Sequence, residues 1–209
     1  METLANVLIW IAIVCSILLV LVLISVLAYY QHAKSSANKL LQGAERDANF
    51  VYLLLKTAFP SGRIIKQAAL PLPDGQRAMT DLILVDRGGV FGIRIKTFPG
   101  MIDNSNRNVW TVSNGRGVGE FPNPFDQNRH SVNAIDTILK REKLFNVPQH
   151  NRVVFSRKKV AFKIRSEHLL TAERLIATIR DINSSRFLDQ SEINAVLGAI
   201  RKYCAPRNH

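Results

Sequence analysis

The chain has 209 residues, with 28 Lys and Arg against 16 Asp and Glu and a net charge of +12. That length holds one domain and an accessory segment. Two cysteines at Cys15 and Cys204 exclude a disulfide scaffold, and five histidines without ligand spacing, with no Cys-x-x-Cys, glycine-rich phosphate loop or HExxH, exclude the familiar metal and nucleotide motifs.

Residues 5–30, ANVLIWIAIVCSILLVLVLISVLAYY, carry no charge. About 20 apolar residues cross a bilayer core as a helix, so this run predicts a transmembrane helix with some tilt. Trp10 and the Tyr29–Tyr30 pair stand near its ends, where amphipathic rings favour the interface. A cleaved signal would have a basic start and an apolar core of about 7–15 residues. This chain starts Met-Glu-Thr and its run is longer, so it reads as a retained anchor. Lys34, Lys39 and Arg46 follow the run and no base precedes it. The expected topology is single-pass in the inner (cytoplasmic) membrane, with residues 1–4 as a short outer tip and the rest cytoplasmic.

After the run come all 28 bases and 15 of the acids, leaving +13. Such a charge fits nucleic acid. It fits an anionic leaflet equally well.

Residues 31–38 read as a polar linker, 39–205 as one domain and 206–209 as a tail. From Lys39 to Ala58, Leu40, Leu41, Ala44, Ala48, Val51, Leu54 and Leu55 recur at helical spacing, and Pro60-Ser61-Gly62 stops the helix. RIIKQAALPL and DLILV predict strands around the turn Pro73-Asp74-Gly75. DRGG turns the chain into a third strand, VFGIRIKTF. A looser stretch is expected next, with Gly100, Gly115, Gly117 and Gly119. Asn123-Pro124 opens a helix with Val132, Ile135, Ile138 and Leu139 on its apolar face. RVVFS and KVAFKI predict two more strands. Two helices close the chain, one carrying Leu169, Leu170, Leu175, Ile176 and Ile179, the other Ile193, Val196, Leu197 and Ile200. The order predicts a mixed α/β domain of about 170 residues, enough to bury a core.

Side chains alternate across a strand. Arg94 and Lys96 therefore share one face of their strand, while Phe91, Ile93 and Ile95 share the other. If Asp81 on the preceding strand meets that face, one acid and two bases cluster. A cross-strand ion pair contributes only roughly 0.2–1 kcal/mol, so a solvated surface cluster explains the spacing as well as a site does. His130, three residues after Gln127, either lines the same cleft or is an ordinary half-buried histidine.

The stretch TDLILVDRGGVFGIRIKTFPGMI, residues 80–102, resembles the centre of the nuclease-related domain family, grouped with the PD-(D/E)XK nuclease-like fold. The family pattern runs Asp, a hydrophobic strand, a turn with GVF, Glu-x-Lys and then Gly-x-Ile. Here these positions are Asp81, LILV, Gly89 to Phe91, Arg94-Ile95-Lys96 and Gly100-Met101-Ile102. Trp110 matches a later tryptophan, and NPFDQ, Asn123 to Gln127, matches an Asn-Pro-x-x-Gln helix start. Glu45 matches a helical glutamate, with Ala44 where glycine is common. The resemblance runs from about Leu40 to Ile164. It implies a restriction-endonuclease-like mixed sheet flanked by helices, with a cleft marked by Asp81, Lys96, Glu45 and Gln127.

In active enzymes of that fold the Asp and Glu hold a divalent metal and the Lys positions or activates water. Here Arg94 replaces the Glu. Arginine offers no metal-ligating oxygen and stays cationic. Two unit charges 4 Å apart interact by about 4 kcal/mol at an effective dielectric of 20. A divalent ion that loses one carboxylate forfeits on the order of 8 kcal/mol. The resemblance therefore implies a degenerate metal site and no cofactor, with Mg²⁺ only if a relocated acid, Glu45 or Glu120, completes it.

The expected function is nucleic-acid (DNA or RNA) binding or processing at the membrane. Arg94, Lys96, Lys158, Lys159 and Lys163 would contact phosphate, the last three from the basic strand SRKKVAFKIR, residues 156–165. That strand reads equally as a solvated edge blunted by lysine. Two alternatives stand beside this: a docking part of a membrane protein complex with a vestigial cleft, and an active nuclease with a relocated acid.

Overall fold

The structure, a computed structural model, describes residues 18–29, 45–115, 117–156, 160–164, 169–185 and 188–204. Lys158 and Lys159 lie outside these, as do residues 5–17 and 30 of the expected span. The chain divides into residues 1–44 and Glu45–His209. In the first unit, residues 18–29 are helical with every side chain exposed. Among the described residues no helix is long and apolar enough to cross a membrane.

The second unit is mixed α/β. Its elements run α1 (residues 45–58), β1 (Arg63–Pro71), β2 (Arg77–Asp86), β3 (Gly89–Lys96), β4 (Gly100–Asp103), β5 (Val109–Asn114), β6 (Gly117–Pro122), α2 (Pro124–Arg141), β7 (Gln149–Phe155), β8 (Val160–Phe162), β9 (Leu169–Thr171), α3 (Ala172–Ser185) and α4 (Gln190–Tyr203). A five-stranded sheet has the order β1-β2-β3-β7-β9, and a four-stranded sheet the order β6-β5-β4-β8. In the larger sheet β1, β2 and β3 pair antiparallel, and β3, β7 and β9 parallel.

Alternation along the strands sorts the core into two faces. Ile83, Val85 and Val90 pack with Ile135 and Ile138 of α2 and Val196 and Ile200 of α4. Leu82, Leu84, Phe91 and Ile93 pack with Val51 and Leu55 of α1 and Leu175 and Ile179 of α3. A third cluster joins the two sheets through Ile102, Trp110, Phe121, Val153 and Phe155.

The structure corrects three expectations. The glycine-bearing stretch after β3 is not loose: it forms β4, β5 and β6. Its strands are short and largely exposed, which hides a period of two, and Gly100 and Gly117 adopt φ of 121° and 134°, open to glycine at no steric cost. Among the described residues of KVAFKI, Val160–Phe162 form a strand, and this pairs parallel with β4 of the smaller sheet. Leu169 and Leu170 are not helical: they belong to β9, with Leu169 opposite Val153, and α3 begins at Ala172. A short apolar run before a helix has no period of its own, so only the neighbouring strand decided its conformation.

Candidate functional site

Asp81 and Arg94 meet where β2 and β3 part. Their register runs from Asp86↔Gly89 to Leu82↔Ile93. Beyond it, side chains take over the ladder's hydrogen bonds. The Thr80 hydroxyl donates to the Ile93 carbonyl at 3.1 Å, and the Ile95 N–H donates to Asp81 Oδ2 at 2.7 Å. Backbone groups at such a point need partners, and Asp81 supplies one. From Arg94 onward β3 keeps its pairing with β7, with Arg94 opposite Val153 and Lys96 opposite Phe155. Past that point Asp81, Arg94 and Lys96 stand half-buried beside one another, the site that the resemblance predicts as a cleft.

Arg94 Nη1 stands 3.8 Å from Asp81 Oδ1, with the arginine side chain 18% and the aspartate side chain 31% exposed. At that distance the contact is an ion pair, longer than a hydrogen bond. Arg94 Nε is a buried donor with no hydrogen-bond partner among the described residues. The guanidinium thus keeps one donor unsatisfied inside the site.

Lys96 lies two residues on, on the same strand face. Its Nζ donates to Gln127 Oε1 of α2 at 3.3 Å and stands 5.9 Å above the Phe121 ring. Burial, and then the neighbouring Arg94 guanidinium, push the Lys96 ammonium below its ordinary pKa, while Asp81 pulls the other way. Two cations side by side with one carboxylate leave a net positive site. Phe121 is held by Trp110, which meets it edge-on at 6.2 Å, so the matched tryptophan acts from the core.

The position of Gln127 depends on residues that sequence reasoning missed. Asn128 is fully buried and donates to the Gly92 carbonyl at 2.7 Å and to Asn151 Oδ1 at 2.8 Å. Its own Oδ1 lies 2.9 Å from the Thr80 hydroxyl, whose single proton is shared between that oxygen and the Ile93 carbonyl. Ser131 donates to the Met79 carbonyl, and Asn151 to the Phe125 carbonyl. Gly92 lets the helix come close: a Cβ there would meet Val132 Cγ2 at 2.8 Å. The signal was present in the sequence, since Asn128 and Ser131 sit on the apolar face of α2, where a polar side chain needs a buried partner. Asn123 caps the helix by accepting from the Phe125 N–H at 2.9 Å, and Pro124 fills its first position.

The remaining candidates stand elsewhere. Glu45 is exposed at the start of the described part of α1. The α1 carboxylate engaged at this end of the sheet is Asp47, whose Oδ2 accepts from Ser156 Oγ at 3.0 Å, next to the Lys96 carbonyl. It approaches from the α1 face, opposite the face of Arg94 and Lys96. Glu120 is exposed on β6, opposite Thr111. Lys163 follows β8 and pairs with Asp103 at 2.8 Å, and that lysine and Ser105 hold the Asp103 carboxyl down to about 2. His130 is exposed.

The carboxylates do not gather: among the described residues no three His, Cys, Asp or Glu side chains form a group able to hold a metal ion. The divalent cation that the resemblance implies does not fit Asp81 as placed. One oxygen of that carboxylate accepts a backbone N–H, and the other faces a guanidinium.

Compared with known protein families, residues 42–156, more than half of the chain, match the one described as nuclease-related domain. No curated protein and no solved structure matches.

Proposed function

This chain belongs to the nuclease-related domain family, and on that premise we propose that it is a membrane-anchored protein that binds nucleic acid through a former metal cleft. Its fold is then the restriction-endonuclease-like variant of a mixed sheet flanked by helices. Arg94 and Lys96 contact a backbone phosphate, Gln127 orients the Lys96 ammonium, and Asp81 holds the parted strands and the Arg94 head group. The apolar run at residues 5–30 anchors the chain in the inner membrane, with the basic domain on the cytoplasmic side.

One observation carries this reading. Arg94, which by the resemblance stands where the family has a glutamate, keeps a buried Nε donor without a partner among the described residues, beside a second cation. Phosphate oxygens satisfy such donors, and planar guanidinium groups suit them.

The test is binding of the full chain, in detergent, to labelled single- and double-stranded oligonucleotides across a salt series, with and without EDTA. Affinity should fall steeply with salt through counterion release and should not depend on EDTA. Arg94→Ala and Lys96→Ala should each weaken binding by roughly tenfold, as expected for loss of a charge-assisted contact of about 1.5 kcal/mol. Absence of binding at low salt would favour the docking role in a membrane complex. Mg²⁺-dependent cleavage lost in Asp81→Ala would restore the nuclease reading.

A further inference from the structure

The outward face of α1 has a composition that neither the fold nor the cleft explains. Val51 and Leu55 are buried on its inner side. On its outer side Arg46, Phe50, Leu53 and Lys56 follow one another at spacings of four, three and three residues, all exposed, with Phe50 at 47% and Leu53 at 58%. A helix facing only water would carry polar side chains there. Lys66 of β1 adds a third cation at the same flank: its Nζ donates to Asn49 Oδ1 at 3.1 Å and stands 4.6 Å above the Tyr52 ring. The acids of this segment do not cancel the three cations. Glu45 alone is exposed at the start of the described helix, and Asp47 is turned to Ser156.

We propose that this face docks on an anionic lipid bilayer, with Phe50 and Leu53 in the headgroup boundary and Arg46, Lys56 and Lys66 on lipid phosphates. Apolar side chains between cations are the pattern of a helix lying in a membrane interface, and each cation near an anionic surface adds attraction. Charge selects this occupant. A second copy would set three cations against the same three in a symmetric contact. Nucleic acid would stack on an aromatic ring but gains nothing from the aliphatic Leu53. This choice of occupant rests in part on the anchor proposed above, which would tether the chain to such a bilayer. The docked face is separate from the cleft and does not depend on its ligand.

The experiment uses the full chain with Cys15 and Cys204 replaced by Ser, Leu53→Cys carrying an environment-sensitive fluorophore, and Ala195→Cys on α4 as the control position. The protein is reconstituted in phosphatidylcholine vesicles with or without phosphatidylserine. Docking predicts a blue-shifted position 53, shielded from an aqueous quencher, only with phosphatidylserine and at low salt, and an unshifted position 195. Arg46→Glu with Lys56→Glu should cut the shielding by on the order of tenfold. A quenchable position 53 in phosphatidylserine vesicles overturns the proposal. So does a shift that needs added oligonucleotide, or one that tracks protein concentration in detergent alone. A carbonate wash separates this from the anchor: release by carbonate with a shielded position 53 refutes only the anchor, and retention with an exposed position 53 refutes only the docking.

Discussion

Asp81 has two partners, and they answer different questions. Its bond from the Ile95 N–H closes the ladder where the strands part. Its contact with Arg94 is partly exposed and contributes little to stability. Asp81→Ala should therefore cost about 1–3 kcal/mol, the penalty of an orphaned backbone donor, while Asp81→Asn, which still accepts that bond, should cost under about 1 kcal/mol. Denaturant unfolding separates the two. Equal losses would mean that the ion pair, not the N–H bond, dominates. Lys96 pulls the other way. Its pKa is lowered by burial and by Arg94, so its charge works against the fold below that value, and stability gains as pH rises toward 10.5. Lys96→Met should thus melt no lower than the wild type at neutral pH while losing phosphate affinity, the mark of a functional residue. His150 gives the acid limb. Its ring stacks on Phe91 at 4.5 Å and its Nε2 meets the Gly88 carbonyl at 3.1 Å, and burial holds its pKa below 6.5. From 6.5 downward the unfolded chain takes up a proton that the fold disfavours, so stability should fall as pH drops through that window. His150→Phe, which keeps the stack, should flatten that slope in pH-dependent melting.

At the scale of elements, α2 is fastened to the sheet by hydrogen bonds as well as by its apolar stripe. Asn128 joins the helix to Thr80 of β2, Gly92 of β3 and Asn151 of β7. Asn128→Ala should cost roughly 3 kcal/mol, since it strands several buried polar groups at once. Gly92→Ala tests position separately from bonding. Its Cβ would press on Val132 Cγ2, which lifts the helix, and overpacking of that kind costs about 1–3 kcal/mol. Both variants should weaken oligonucleotide binding by more than their stability loss implies, because Gln127 moves with α2. Unchanged affinity in a folded Gly92→Ala protein would remove Gln127 from the site. The far end of α2 is tied to α4 by Glu142, which accepts from Lys202 at 2.8 Å and from Tyr203 at 2.6 Å, so the two helices on this face are held together at their ends. Asp189 and Glu192 form a capping box at the start of α4. Asp189→Ala should cost about 1 kcal/mol in unfolding without touching the cleft.

For the whole molecule, charge is the property that both proposals draw on. The +13 carried after the apolar run suits nucleic acid and anionic lipid alike, the two partners proposed above. The two proposals place these partners on different surfaces, the cleft on the α2 face and the outer side of α1. Charge reversal on one should therefore spare the other. Arg46→Glu with Lys56→Glu should leave the salt slope of oligonucleotide binding in detergent within about one unit of the wild type. Arg94→Ala should reduce that slope by about one phosphate contact. A large drop in slope from the α1 pair would show a diffuse basic surface serving both partners.

The sequence determined the local structure where the pattern repeats and the chemistry where residue type alone decides it. Alternation and turns marked β1, β2 and β3, and three- and four-residue spacing marked α2 and α4. The resemblance on Asp81, the GVF turn, Lys96 and NPFDQ pointed to the family that residues 42–156 match. Tertiary structure alone decided the rest. Leu169–Thr171 is a strand because β7 offers it a parallel edge, and Val160–Phe162 joins the smaller sheet because β4 is its neighbour. Asp47, and not Glu45, is the α1 carboxylate that meets the end of the sheet, a matter of helix rotation that spacing does not fix. Asp81 accepts a backbone N–H because β2 and β3 separate after Leu82↔Ile93. Each of these depends on a partner distant in the chain, and a local pattern carries no information about which distant group will satisfy a backbone donor or cover an apolar face.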